Sequence, residues 1–325
     1  MNGIFVFVLK VLRKQFRKNR NDPFSWLTDS YCQYKDQDAN DYILNRLNRY
    51  QGGGLMLAKW GTIELNQVIA TYMARQGYSI NDYKEMIQGI VPIPENKPNF
   101  SLYNNAGVFP ATVEIANRFA RKAMEDCKSI DILASYMHNE HRIAELQKNA
   151  TCVNLDPYYA PWLFENPWTK WLEGKRVLVV HPFIESIKYQ YENNRTKLFK
   201  NPDVLPLFSN IQYIKAVQTQ AGEQSQFKDW FEALNYMEQE IDKKEYDVAI
   251  IGCGAYGMSL AAHVKRRGKV AIHLAGWTQM LFGVYGERWV SQQSQYKNVI
   301  NEFWIRPNQG ENLKKGKQIE NGCYW

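Results

Sequence analysis

From about residue 50 onward, short apolar runs alternate with longer segments whose apolar positions recur every three or four residues. Strands buried on both faces read as unbroken apolar runs, whereas amphipathic helices carry the longer period. The runs predict strands at 54–59, 130–135, 152–155, 176–180, 211–216, 247–251 and 270–274. The periodic segments predict helices at 63–75, 111–128, 227–242 and 258–267. This order implies an α/β fold, Rossmann-like, with a mostly parallel sheet covered by helices on both faces. Two stretches read as long loops, 78–110 with Pro92, Pro94 and Pro98, and 156–175, rich in Pro, Trp and Tyr. Loops of that length in a compact domain tend to face ligands.

The first 20 residues have a different character. At about 100° per residue, Ile4, Phe5, Val8, Val11, Leu12 and Phe16 share one side of a helix. Lys10, Arg13, Lys14, Arg17 and Arg20 share the other, with Val6 on the wrong side and Lys18 at the border. The expected organisation is therefore a basic amphipathic helix over 1–22, an α/β domain over 23–305 and a polar tail over 306–325. The aromatic end of that tail, Tyr324-Trp325, is expected to dock back onto the body.

Charge sharpens this picture. The net charge is +7, and residues 1–20 supply six basic residues with no acid, so the remainder is nearly neutral. A general nucleic-acid surface is excluded; the basicity is one local device. A basic amphipathic helix can lie in an anionic membrane surface, or pack its apolar side on the protein's own body. Its apolar run is too short to span a bilayer, and its charges follow the run rather than precede it as in a secretory signal. Five scattered cysteines without a C-x-x-C pair suggest neither a zinc cage nor a disulfide framework, and fit a reducing compartment.

Residues just after strands are the ones to weigh, because sites on parallel sheets lie beyond the carboxyl ends. Gly252-Cys-Gly254-Ala255-Tyr256-Gly257 stands between a strand and a helix, as G-x-G-x-x-G requires. It reads as a phosphate-holding turn or as a glycine turn needed for close helix–strand packing. The following strand, 270–274, carries His273 and no acid that would bind a ribose, which counts against a dinucleotide. The first strand leads into Lys59-Trp-Gly61-Thr62-Ile-Glu64, where Glu64 is a helix cap, a base or a metal contact. His181, with Glu185 four residues on, suits proton transfer or phosphate binding, or is simply structural. His138 and His141 lack the i, i+4 spacing of helical zinc sites.

Together, Lys59 to Glu64, Gly252 to Gly257 and the strand carrying His273 resemble bacterial glycosyltransferases of the GT-D type. His181-Pro-Phe183, Gly254 to Gly257, and Gln279 to Gly283 with Arg288-Trp289 are similar to a little-characterised family of bacterial polysaccharide-biosynthesis proteins. The resemblance covers most of 50–290 and implies transfer of a sugar from a nucleotide-sugar donor to a glycan or lipid-linked acceptor, at the cytoplasmic face of the inner membrane. It implies catalytic roles for Glu64, His181 and Glu185. It implies donor binding by Lys59, Gly61, Gly252, Gly254, Ala255, Tyr256, Gly257, His273, Gln279 and Arg288. The family's Asp-x-Glu pair handles Mn²⁺ or Mg²⁺ and the diphosphate; here Glu64 matches the Glu, but Thr62 replaces the Asp. A single carboxylate is a poor divalent site unless phosphates complete it. Lys59 or Arg288 is then expected to offset the diphosphate charge. The alternatives are a non-catalytic nucleotide-binding component of a glycan assembly complex, and an NAD(P)-dependent oxidoreductase or a methyltransferase.

Overall fold

Each predicted apolar run becomes a strand: β1 Leu55–Ala58, β2 Ile132–Ser135, β3 Thr151–Asn154, β4 Arg176–His181, β5 Asn210–Lys215, β6 Val248–Ile251 and β7 Val270–His273. The computed structural model describes residues 1–20, 27–311, 313, 316 and 322–325. The expected boundary between residues 22 and 23 lies outside the described residues, as does most of 312–321. Among those described, the strands form one sheet in the order β3-β2-β1-β7-β6-β4-β5. Every pairing is parallel, with Leu55 opposite Val270, Ile250 opposite Ile272, and Val179 opposite Ile250. The fold is the expected Rossmann-like α/β arrangement.

The absence of a polar alternation in the central strands has a direct cause. Met56, Ala58, Leu178, Val180, Ala249, Ile251 and Ala271 enter one apolar layer. Their neighbours Leu55, Leu57, Val177, Val179, Val248, Ile250, Val270 and Ile272 enter the other. Side chains alternate across the sheet, so a strand covered on both faces must be apolar at every position.

The helices, in chain order, are α1 Gly3–Lys18, α2 Asp36–Asn48, α3 Thr62–Gln76, α4 Ile80–Gln88 and α5 Phe100–Asn104. They continue with α6 Val113–Asp126, α7 Leu155–Tyr159, α8 Ile184–Leu198, α9 Trp230–Asp242, α10 Tyr256–Arg266 and α11 Thr278–Leu281. Helices α3, α6, α9 and α10 supply the first layer; α2, α7, α8 and α11 supply the second. Predicted helices 63–75, 111–128, 227–242 and 258–267 correspond to α3, α6, α9 and α10.

The stretch 78–110 is not simply a loop. It contains α4, started by a capping box between Ser79 and Asp82 and ended by Gly89 in the left-handed region. Its apolar period is hidden because its buried positions are Asp82 and Met86, and Asp82 pairs with Arg142. Helix α8 escapes the pattern for a similar reason: Ser186 and Gln190 lie on its buried face. Gln190 Nε2 donates to the carbonyls of Gly283 (2.7 Å) and Phe303 (3.0 Å), so an amide occupies a core position.

Helix α1 packs on α4, but not by its apolar side. Leu9 is buried and Val6 half-buried, while Arg13 donates to the carbonyls of Met86 (2.6 Å) and Val91 (2.7 Å). Lys10 pairs with Glu95 at 2.7 Å. Met86 stands in the last turn of α4 and Val91 just past its end, and guanidinium N–H groups suit carbonyls exposed at a helix C-terminus. The reading in which α1 buries its apolar side on the body is thereby overturned.

The tail also ties in. Buried Glu311 accepts from the N–H of Glu185 (2.8 Å) and of Ser186 (3.3 Å) and from the Ser186 hydroxyl, capping the start of α8. Replacing it, Glu311→Ala, should lower the unfolding free energy by about 1–2 kcal/mol. Exposed Glu185→Ala should stay within about 0.5 kcal/mol of the parent. Urea unfolding midpoints of the two variants check this.

Candidate functional site

The carboxyl ends of the central strands meet at one edge of the sheet. Lys59 follows β1, His181 ends β4, Gly252 follows β6 and His273 ends β7, and all four line one cleft. Its volume is about 1010 Å³, counting space open to solvent. Gly61, Glu64, Gly254, Gln279 and Arg288 line it too. Residues scattered from 59 to 288 thus converge because neighbouring parallel strands all end on the same side.

Among the described residues, the charged side chains in this lining are Lys59, Glu64 and Arg288. Lys59 is buried at 7% exposure, its ammonium 5.0 Å from the Tyr136 ring centre and 5.3 Å from that of Tyr159. Aromatic faces attract a desolvated cation. The Tyr136 turn is held by buried Glu140, which accepts from the N–H of Tyr136 (3.1 Å) and of Met137 (3.0 Å). Burial pushes the Glu140 carboxyl up, against those hydrogen bonds. Arg288 is placed by the chain's last residues: its guanidinium lies 4.5 Å from the Tyr324 ring centre and donates to the Tyr324 hydroxyl at 3.1 Å. The docked rings of Tyr324 and Trp325 form part of the wall, with Trp325 edge-on to Phe183 at 5.7 Å.

Five buried polar atoms at this edge have no hydrogen-bond partner among the described residues: Gln279 Oε1, Gln220 Oε1, Thr278 Oγ1 and both ring nitrogens of His273. The other end of the Gln279 amide is fixed, its Nε2 donating to the Tyr324 carbonyl at 3.1 Å. A buried acceptor without a donor costs roughly 1–3 kcal/mol, so a ligand carrying hydroxyl or N–H groups would be favoured there.

The two histidines are neutral. Burial pushes both His181 and His273 down to about 3, with Lys59 adding to the effect at His273. His181 Nδ1 accepts from the Phe183 N–H at 3.0 Å, which assigns the remaining proton to Nε2. At neutral pH His181 offers a hydrogen-bond donor rather than the charge or basicity its position suggested.

The glycine turn divides between two roles. A Cβ on Gly252 would lie 2.4 Å from the Ala275 carbonyl, and one on Gly257 would lie 2.2 Å from His273 Nε2. Both glycines therefore serve close packing of the turn and α10 against the elements beside them. The Ala255 N–H donates to the Ala106 carbonyl at 3.2 Å, so one amide of the expected phosphate cradle is already satisfied. Gly254, with φ +58°, lines the cleft; Tyr256 and Gly257 do not, and Tyr256 stacks on Trp230 at 5.1 Å. Ala255 borders a small adjoining cavity with Lys59 and Glu64. Glu185 lies outside the cleft, because the turn after His181 carries it onto the exposed side of α8.

Glu64 stands in the first turn of α3, its carboxylate folded over Gly61, where a Cβ would meet Oε2. Among the described residues it is the single carboxylate side chain in the lining, and no group of three His, Cys, Asp or Glu side chains converges among them. This donor set does not fit a protein-held divalent ion. The Thr62 hydroxyl lies 3.4 Å from the Tyr136 hydroxyl. His138 and His141 sit away from the cleft; His141 Nδ1 bonds the His138 carbonyl and Nε2 lies 3.4 Å from Glu85.

Sequence reasoning passed over Tyr136, Tyr159, Trp277 and Gln220. Tyr136 directly follows β2, so the post-strand rule applied to that strand would have found it. Tyr159 lies in the aromatic stretch read as ligand-facing, and stacks on Trp277 at 4.5 Å. Gln220 carried no signal, since nothing local links a residue after β5 to the ends of β1 and β6.

No family model matches the chain, and no curated protein does. A solved structure, that of the selenomethionine-substituted domain of unknown function 1792 (DUF1792), is similar at 12% identity, with a TM-score of 0.37 over 94% of this chain and 96% of that one. A likeness at that level carries no argument about the site.

The histidine burial has a measurable consequence. The folded protein resists protonating His181 and His273 until about pH 3, whereas the unfolded chain takes up both protons near pH 6.5. Stability present above pH 6.5 is therefore lost as pH falls toward 3, by up to about 1.4 kcal/mol per pH unit for each histidine. Guanidinium unfolding between pH 7 and 4 should show a shallower slope in His181→Asn and His273→Asn than in the parent.

Proposed function

We propose that the protein is a glycosyltransferase that takes its sugar from a nucleotide diphosphate donor for bacterial surface-glycan synthesis. The observation that carries this reading is the pairing of two cations, Lys59 and Arg288, in an aromatic-walled cleft at the carboxyl edge of a parallel sheet. A diphosphate suits two cations with one carboxylate; the rings of Tyr136, Tyr159 and Trp277 in the lining suit a base; Gln279 and Gln220 suit sugar or ribose hydroxyls. The resemblance of Lys59 to Glu64 and of Gly252 to Gly257 to GT-D enzymes points the same way.

In this reading the acceptor hydroxyl attacks the anomeric carbon, and Glu64 takes its proton. The bond from that carbon to the diphosphate oxygen breaks, and the nucleoside diphosphate leaves with its charge held by Lys59 and Arg288. His181 donates a hydrogen bond through Nε2–H. The work a divalent ion does in enzymes with an Asp-x-Glu pair falls to the two cations. A dinucleotide fits less well: β7 ends in His273 rather than an acid, and the Ala255 amide is occupied. The lone carboxylate also favours a second reading, a nucleotide-binding component of a glycan assembly complex without transfer activity.

Thermal shift across a panel of sugar nucleotides, NAD(P) and S-adenosylmethionine tests the reading. One sugar nucleotide should raise the melting temperature, equally in chelator and in Mn²⁺. Lys59→Ala and Arg288→Ala should each weaken it about ten- to hundred-fold. Strict metal dependence would sink the assignment of charge neutralisation to Lys59 and Arg288. Binding without transfer to any glycan acceptor would select the second reading, and a shift with NAD(P) alone would replace both.

A further inference from the structure

Helix α1 is held with its apolar residues outward. Ile4 is 75% exposed, Phe7 66% and Val11 49%, with Val8 and Leu12 similarly open. Four of these, Ile4, Phe7, Val8 and Val11, fall on one outward face of the first three turns, and Lys14 and Lys18 continue that face toward the C-terminal end. The orientation is not accidental: Leu9 is buried at 2% exposure, Arg13 closes on two carbonyls beside α4, Lys10 pairs with Glu95, and Phe5 packs edge-on against Tyr83. Rotating the helix to bury its apolar stripe would leave the Met86 and Val91 carbonyls without the guanidinium and strand Leu9 in water.

We propose that α1 is an interfacial anchor that lays Ile4, Phe7, Val8 and Val11 into the surface of an anionic lipid bilayer, with Lys14 and Lys18 at the headgroups. Charge chooses the bilayer over a second copy of the chain. Residues 1–20 carry no acid, and of their six cations Lys14 and Lys18 lie on this outward face. A two-fold contact through this helix would set the two basic sets against each other, whereas an anionic surface complements them. Helix α1 has 16 residues, and among the described residues no helix is long and apolar enough to cross a membrane, so the anchor lies in the interface plane. Its inner side, through Lys10, Arg13 and Arg17, borders a groove that shares Thr62 with the central cleft. The inference stands whether or not the donor reading holds.

Co-sedimentation of the full chain with vesicles, without nucleotide, tests it. Vesicles of phosphatidylglycerol and phosphatidylcholine should bind the protein, and phosphatidylcholine alone should bind it at least about ten-fold more weakly. Phe7→Glu with Val11→Glu should abolish binding, and Lys14→Glu with Lys18→Glu should reduce it about ten-fold or more, each with an unchanged melting temperature. High salt should weaken binding in the parent. No binding to either vesicle, or binding unaffected by these substitutions, would overturn the proposal. So would a concentration-dependent dimer in analytical ultracentrifugation that Phe7→Glu with Val11→Glu dissolves, with no vesicle binding.

Discussion

Strands β1, β7, β6 and β4 lie side by side at the middle of the sheet, parallel and covered on both faces. That double burial is the constraint from which the rest follows. It excludes polar side chains from every position within the strands, so the first place polar chemistry can enter is where each strand ends. Parallel pairing then puts those ends on one edge. Lys59, His181, Gly252 and His273 are neighbours for this reason alone, although 214 positions separate the first from the last.

The same burial sets the electrostatics of the edge. It strips His181 and His273 of their charge, which among the described residues leaves Lys59 and Arg288 as the cations and Glu64 as the carboxylate. Lys59 remains tolerable in so dry a place because aromatic rings face it; Arg288 is positioned by the ring and hydroxyl of Tyr324. The docked end of the chain is thus part of the cleft and not an appendage. Glu311, capping α8 from the same tail, holds the segment beside His181 in register with it.

Helix α1 shows how a single local preference can reverse an expected arrangement. An isolated amphipathic helix hides its apolar side. Here the guanidinium of Arg13 finds carbonyls next to α4, and that contact, with Leu9 beside it, turns the apolar residues outward. The outward stripe is then a property of the whole fold and not of the helix sequence.

The strands were legible because their apolar runs are compulsory for a sheet buried twice, and the order of runs and periodic segments was enough for the Rossmann-like class. Lys59, His181, Gly252 and His273 were legible as residues at, or just past, the carboxyl ends of predicted strands. Helices α4 and α8 were not, because Asp82, Ser186 and Gln190 occupy buried positions and break the period with side chains whose partners are distant in sequence. Periodicity reads a residue's own polarity and cannot see a partner such as Arg142 or the Gly283 carbonyl. Only the tertiary structure could bring Gln220, Tyr159 and Tyr324 to the cleft, leave Glu185 outside it, neutralise the histidines and choose which side of α1 meets the body. Each of these depends on what lies opposite in space, which the order of residues along the chain does not record.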